Sequence, residues 1–457
     1  MRAHLVGIGG SGMRALTDVL LGWNWRISGS DRNLDSAEEL AAVGVHLSSG
    51  HAAENLPRQT DLVIYTDAVE ADNPELRRAA KLGIPAISYF EMAGRLTHRK
   101  EALAVAGTHG KSTTTAMAAH IFIRAGRDPT VLCGASPLGR SSGGRAGSGD
   151  LVLVEACEYR ANFLKLHPRQ VVLLGIEPDH FDYYRTDGQL VNAFRQFAQS
   201  VPPDGRVLVR ADCPVSRRVA NDLPCRVETF GIGGGDWAVR AMKSQQGRYA
   251  FEIRHRRFRP CEIKLRVPGR HNMLNALAAA ALACENGVAP EIVKYALSEF
   301  RGLHRRLEYR GMSHGTVLLD DYAHHPTEVS AALCTVRRMY PGRRLWCVFQ
   351  PHQVSRTERL LDELAESLQN AEEVFVAEIF RARDGAPKEG EVTAADLAAA
   401  VRRRGASVSG IHVMQEIINV LKDRLMPDDV LLTMGAGNVG AICGRLVRSI
   451  HGGLKAA

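Results

Sequence analysis

Paired cysteines are missing from this sequence: the nine present are scattered, odd in number, and never form Cys-x-x-Cys. That excludes a disulfide-stapled scaffold and a zinc ribbon, and it reads the thiols as reduced, buried, small apolar groups. Apolar runs are short as well. None approaches the roughly 20 residues that a bilayer-spanning helix needs, and residues 4–7 already read as a strand with no hydrophobic leader ahead of them. The expectation is a cytoplasmic protein without membrane insertion. Aromatic residues make up only 6% of the chain, and few of them interleave with basic ones. The formal net charge of +8 is dispersed, with short basic runs only at 254–259 and 402–404. This argues against nucleic acid as a partner and leaves a solvated basic surface, or pockets built for phosphate.

What the chain does have is bulk. Its 457 residues, 45% hydrophobic and 24% charged, amount to about three globular domains at roughly 150 residues each. The most informative stretch is 103–117, Leu-Ala-Val-Ala-Gly-Thr-His-Gly-Lys-Ser-Thr-Thr-Thr-Ala-Met. An apolar strand at 102–106 runs into glycines, and a helix follows Lys111 directly. Gly107 and Gly110 let the backbone turn close to an anion, so that the amides of Thr108 and His109 and the helix N-terminus can face a nucleotide's phosphates. Lys111 supplies a point charge to the outer phosphates, and the Ser112 or Thr113 hydroxyl is placed for Mg²⁺. The strict Walker spacing puts glycine where Val105 stands, so a glycine-rich turn before an ordinary helix stays open on this stretch alone.

A second cradle comes earlier, at Gly7-Ile-Gly-Gly-Ser-Gly-Met13. Gly7, Gly9, Gly10, Ser11, Gly12 and Met13 lie between a strand and a helix, and Asp31 follows about 20 residues on, where a ribose-binding carboxylate is expected. Taken alone this motif also suits a dehydrogenase. Two cradles in succession imply two phosphorylated ligands, which favours a transferase or ligase.

Further on, a Gly/Ser-rich surface segment covers 139–149. Apolar strands at 151–154 and 171–175 then deliver Glu155 and, from the second, Glu177, Asp179 and His180. Ligands in open α/β sheets bind outside strand C-termini, so these groups can reach a nucleotide-bound metal. A hairpin or meander is expected within 237–267. A long helix follows over 268–286, with Asn272 as its capping residue and Gly287 as its C-cap. A boundary falls near 301–303. Later strands end in Asp320-Asp-Tyr-Ala-His-His-Pro326, in Gln350-Pro-His-Gln-Val-Ser-Arg-Thr357 and in Gly435-Ala-Gly-Asn-Val-Gly440. Adjacent histidines are more often a turn than a metal site.

The variant loop Ala-x-x-Gly-Thr-His-Gly-Lys-Ser-Thr-Thr resembles the ATP loop of the Mur ligase family, the ATP-dependent amino-acid ligases of peptidoglycan precursor synthesis, and the later motifs match in order along nearly the whole chain. The resemblance implies an α/β fold in three domains. These are a Rossmann-like UDP-sugar domain at 1–98, a P-loop ATPase domain with a mainly parallel sheet at 99–302, and a Rossmann-like amino-acid domain at 303–457. It implies ATP with two Mg²⁺ ions held by Ser112, Glu155 and His180. Asn275 would stand at the adenine site, Arg306 on the ATP phosphates and Asp321 on the nucleotide. Tyr322, His324, His325, His352 and Arg356 would face the acceptor amino acid. The motifs are closest to the alanine-adding branch, whose substrates are UDP-N-acetylmuramate, L-alanine and ATP. The muropeptide ligase of peptidoglycan recycling is the alternative, and a monomer or weak homodimer is expected. Departures from the branch pattern are Cys157 in place of aspartate, Gln353 in place of arginine, and the 379–384 segment ending in Asp384. Arg195 stands near the position of the carbamylated lysine in some sibling ligases, so no carbamate is expected.

Overall fold

The computed structural model describes residues 1–34, 37–382 and 384–453, the side chains of 449–453 aside; Arg383, within the departing 379–384 segment, lies outside them. Three sheets follow one another along the chain. The first comprises β1 (Arg2–Val6), β2 (Arg26–Asp31), β3 (His46–Ser49), β4 (Leu62–Tyr65) and β5 (Ala86–Ser88). They run parallel in the order β3-β2-β1-β4-β5. The chain switches direction between β1 and β4, and that switch opens a crevice at the strands' C-terminal ends.

The second sheet holds β6 (Glu101–Ala106), β7 (Thr130–Leu132), β8 (Leu151–Glu155), β9 (Gln170–Leu173), β10 (Arg206–Arg210), β11 (Arg226–Ile232), β12 (Trp237–Gln245), β13 (Arg248–His255) and β14 (Phe258–Lys264). Their order is β14-β13-β12-β11-β10-β9-β6-β8-β7. The expected meander is the antiparallel β12-β13-β14 edge; the other pairings are parallel. The unbroken apolar run of β6 follows from covering on both faces, as central parallel strands require. Helices Lys111–Arg124 and Arg270–Glu285 pack together over this sheet. The second is Ala-rich because small side chains let helix and sheet approach closely, and its Leu277 and Leu282 are fully buried, each worth about 2 kcal/mol.

The third sheet contains β15 (Glu308–Ser313), β16 (Thr316–Asp321), β17 (Leu345–Phe349), β18 (Glu373–Val376), β19 (Ser407–Val408) and β20 (Val430–Met434), in the order β15-β16-β20-β17-β18-β19. Among the described residues of this sheet only β15 pairs antiparallel.

Two local expectations are corrected. Within the 139–149 segment, residues 139–141 and Ser148 are exposed as expected, but 142–147 packs between units, where open surface was expected. A Cβ on Gly144 would sit 2.0 Å from the Ala15 carbonyl oxygen, and buried Ser142 donates to Asp18 at 2.6 Å, so its glycines serve close approach. Asn272 is not the helix cap. Gly269 precedes the first turn at φ +101°, and Asn272, one turn in, donates back to the Pro268 carbonyl at 2.7 Å.

Candidate active site

The phosphate loop joins β6 to helix Lys111–Arg124, between the neighbouring strands β8 and β9. Gly107 and Gly110 take φ of +136° and +80°. A Cβ at Gly110 would lie 2.4 Å from Asn275 Oδ1, which brings the expected adenine-site asparagine against the loop; Thr114 also donates to that oxygen, at 3.3 Å. Thr108 is fixed by exchange with Glu177, accepting from its amide at 2.9 Å and donating to its carbonyl at 3.0 Å. Lys111 Nζ folds back on the Gly107 and Thr108 carbonyls, at 2.7 and 3.0 Å, and on the Glu158 carboxylate at 2.9 Å. Burial opposes the lysine's charge, yet Glu158 prevails and raises its pKa. Ser112 and Thr113 are buried at the helix start.

Glu155, at the end of β8, accepts from Ser112 Oγ at 2.8 Å and from the Gly134 amide at 2.7 Å. A hydroxyl beside a carboxylate is the hard-oxygen donor pair that Mg²⁺ takes. His180 follows β9 in the left-handed region, φ +56°, and its Nε2 lies 3.4 Å from Glu158. The structure therefore sets His180 against Glu158, a buried carboxylate that sequence reasoning assigned no role although it stands three residues after Glu155. Only its burial distinguishes it. Cys157 lies in the same region, its thiol pushed up to about 12 by burial and by Glu158, so it is uncharged where the resembling family carries aspartate.

The first cradle faces these groups. Gly7 has φ +84°, and a Cβ there would meet Thr66 at 2.4 Å. Helix Ser11–Gly22 begins without a side-chain cap or an acidic first turn, so the amides around Gly10, Ser11 and Gly12 are available to an anion. Met13 is buried beneath them. Asp31 accepts from the Gly9 amide at 2.8 Å and from the Asn33 amide at 3.0 Å, and so positions the loop as well as bordering the crevice. One cavity of about 680 Å³ has Gly9, Ser11 and Asp31 on one wall and Glu155, Cys157 and His180 on the other.

The linker after the second sheet brings two arginines. Arg305 is tied to Asp320 at 3.2 Å and to the Gly435 carbonyl. Arg306 lies 5.2 Å from the Tyr322 ring centroid, faces Glu328, Asp321 and Glu155, and has its pKa raised by them against burial. Asp321 accepts from the Leu307 and Ala323 amides, each at 2.7 Å, and burial lifts its pKa to about 6. It thus organises the linker and the turn that carries Tyr322 and His324. Burial holds His324 and His271 neutral, near 4.

Across the units, His109 lies between Glu328 at 3.1 Å and Glu177 at 3.3 Å. Its ring is 4.6 Å from that of His325, which caps helix Pro326–Met339. Arg356 pairs with Asp179 and contacts His352 Nδ1 at 2.7 Å. Gln353 is buried at φ +69°, and the Asp384 carboxylate accepts from the Val354 amide at 2.7 Å. Arg195 is exposed and donates to the Arg218 carbonyl.

Family models match in the same order. They are the Mur ligase family catalytic domain over residues 2–101, the Mur ligase middle domain over 105–283 and the Mur ligase glutamate ligase domain over 305–437. The UDP-N-acetylmuramate--L-alanine ligase of Clostridium novyi is 39% identical over 440 residues, 96% of this chain and 95% of that one. Among solved structures, the UDP-N-acetylmuramate-alanine ligase of Thermotoga maritima superposes with a TM-score of 0.83 at 27% identity, covering 99% of this chain and all of that one. A murein peptide ligase of Psychrobacter arcticus gives 0.75 at 24%, with 98% of each chain covered.

Proposed function

This chain belongs to the Mur ligase family, and on that premise we propose that it joins L-alanine to the lactyl carboxylate of UDP-N-acetylmuramate, cleaving ATP to ADP and phosphate. The observation that carries the reading at the site is the shared cavity, in which the first glycine cradle and the Glu155–His180 group face one space. A UDP-sugar held by its diphosphate at Gly9–Gly12 can extend its carboxylate toward the ATP loop.

A carboxylate is a poor acylating group, so its oxygen first attacks the γ-phosphorus and displaces ADP, giving an acyl phosphate. Lys111 and Arg306 hold the transferring phosphoryl group. Ser112, Glu155 and His180 would hold Mg²⁺, which supplies further neutralisation of phosphate charge when bound. The alanine amine then attacks the acyl carbon, loses a proton, and phosphate departs. Tyr322, His324, His325, His352 and Arg356 stand where the acceptor arrives, and Asn275 against the loop where the adenine is expected. In this reading residues 1–98 bind the UDP-sugar, 99–302 bind ATP and 303–457 bind the amino acid, and the protein works in the cytoplasm as a monomer or weak homodimer.

The test is phosphate release with ATP, Mg²⁺ and UDP-N-acetylmuramate, comparing L-alanine with L-Ala-γ-D-Glu-meso-diaminopimelate as acceptor. Turnover that requires alanine is expected. Turnover with the tripeptide alone would move the chain to muropeptide recycling.

A further inference from the structure

Behind the phosphate loop lies a second cavity of about 410 Å³, separate from the one already described. Its apolar lining comes from the helix that carries Lys111, through Ala116, Ala119 and Ile123, and from Val131, Leu138 and Phe300. Arginines ring it. Arg124 is paired with Glu299 at 2.7 Å, Arg145 with Asp128, and Arg140 with the Gly144 carbonyl. Arg266 and Arg301 are exposed and make no side-chain hydrogen bond or ion pair among the described residues. His120 also borders the cavity, but its Nε2 is closed off from it; burial, helped by Arg124, lowers the ring's pKa.

We propose that this cavity is a second small-molecule site, taking an amphipathic organic anion with a flat or branched apolar body against Ala116, Ala119, Ile123 and Phe300 and a charged group between Arg266 and Arg301. Pockets of this size and lining accept such ligands, and the two unpaired guanidiniums select charge. The site is coupled to the linker. Leu138 donates to the Gly302 carbonyl at 3.1 Å, and the His304 amide to the Ser136 carbonyl at 2.9 Å, so the cavity wall is zipped to the segment that presents Arg305 and Arg306. Occupancy braces that segment and alters turnover without competing with either nucleotide.

The full chain, titrated with 1-anilinonaphthalene-8-sulfonate, whose aromatic body and sulfonate match the apolar lining and the two arginines, is expected to bind one equivalent. Arg266→Glu with Arg301→Glu should weaken binding by about tenfold or more, and Ile123→Trp, which fills the cavity, should abolish it, both with unchanged melting temperature. The uncharged N-phenyl-1-naphthylamine should bind more weakly. Saturating ATP and UDP-N-acetylmuramate should not displace the probe, and phosphate release should change at least about twofold when it is bound. Binding that survives both variants, or is displaced by either nucleotide, overturns the site. Binding with no effect on turnover overturns the coupling.

Discussion

Arg356 donates two hydrogen bonds, 2.9 Å from Nε and 2.7 Å from Nη2, to the same oxygen of Asp179, and the pair joins the third sheet's unit to the second. Both residues are buried, at 3% and 6% exposure. Burial resists ionisation of Asp179, but His180 and Arg356 hold it well below the carboxylate range. Asp179→Asn keeps the shape and removes the charge, leaving a buried guanidinium half-partnered at a cost of about 3 kcal/mol. Because the pair spans two units, the expected effect is opening. Solution scattering of the ligand-free variant should show a larger radius of gyration, and kcat/KM for alanine should fall about 100-fold. A variant with the wild-type radius and kinetics would show that this contact does not hold the units together.

That contact marks the limit of what sequence could give. The strand–glycine–helix layout at Gly107, Gly110 and Lys111 was legible because such a turn constrains neighbouring residues, and the place of Glu155 because a strand end fixes where its side chain emerges. Individual strands were legible because apolar runs and turn residues are local signals, while their sorting into three units came from chain length and the family resemblance. Which partner a charged group chooses is not local. Asp321 read as a nucleotide contact, and the structure shows both its oxygens on the backbone amides of Leu307 and Ala323. Glu158 and Asp179 sat inside motifs already noted, yet their partners lie 47 and 177 residues away. The 139–149 segment read as surface because glycine and serine mark both open loops and close approaches.

The His109 contact gives the interface a dependence on pH. Burial alone would lower the pKa, but Glu328 and Glu177 raise it to about 9. The histidine's contribution is complete below its unfolded pKa of about 6.5 and is lost as pH rises through 9, worth up to about 3 kcal/mol. Glu177, lowered to about 2 by the same contacts against burial, loses its share as pH falls from about 4.5 toward 2. Melting temperature should therefore decline between pH 6.5 and 9, and His109→Asn should flatten that decline. A parallel decline in the variant would place the alkaline transition elsewhere.

The neutral thiol of Cys157 leaves the cavity one negative charge short of the pattern it resembles. Cys157→Asp adds a carboxylate near Glu155 and Glu158. Like charges at this range repel by roughly 1 kcal/mol when no cation is present, and a divalent ion relieves the repulsion. The Mg²⁺ concentration for half-maximal phosphate release should fall about fivefold, with a small drop in stability in the absence of Mg²⁺. An unchanged Mg²⁺ requirement would mean that position 157 does not face the ion.

Lys111 and Glu158 separate a stability role from a catalytic one. Glu158 is almost wholly buried, with 1% of its side chain exposed, and its carboxylate stays ionised because Lys111 and His180 outweigh burial. Lys111→Met removes both the charge proposed to hold the transferring phosphoryl group and the glutamate's main partner. Activity should drop about 1000-fold or more, and stability by about 3 kcal/mol, on the order of 6–10 °C in melting temperature. Adding Glu158→Gln should restore most of that stability, because no buried charge is left unpaired, while activity stays lost. Glu158→Gln alone lets the raised lysine pKa relax and frees Nζ from its anchor, so kcat should fall about 10-fold with the ATP KM nearly unchanged. Stability that fails to recover in the double variant would mean that Lys111 supports the loop through the Gly107 and Thr108 carbonyls, to which it donates at 2.7 and 3.0 Å, more than through Glu158.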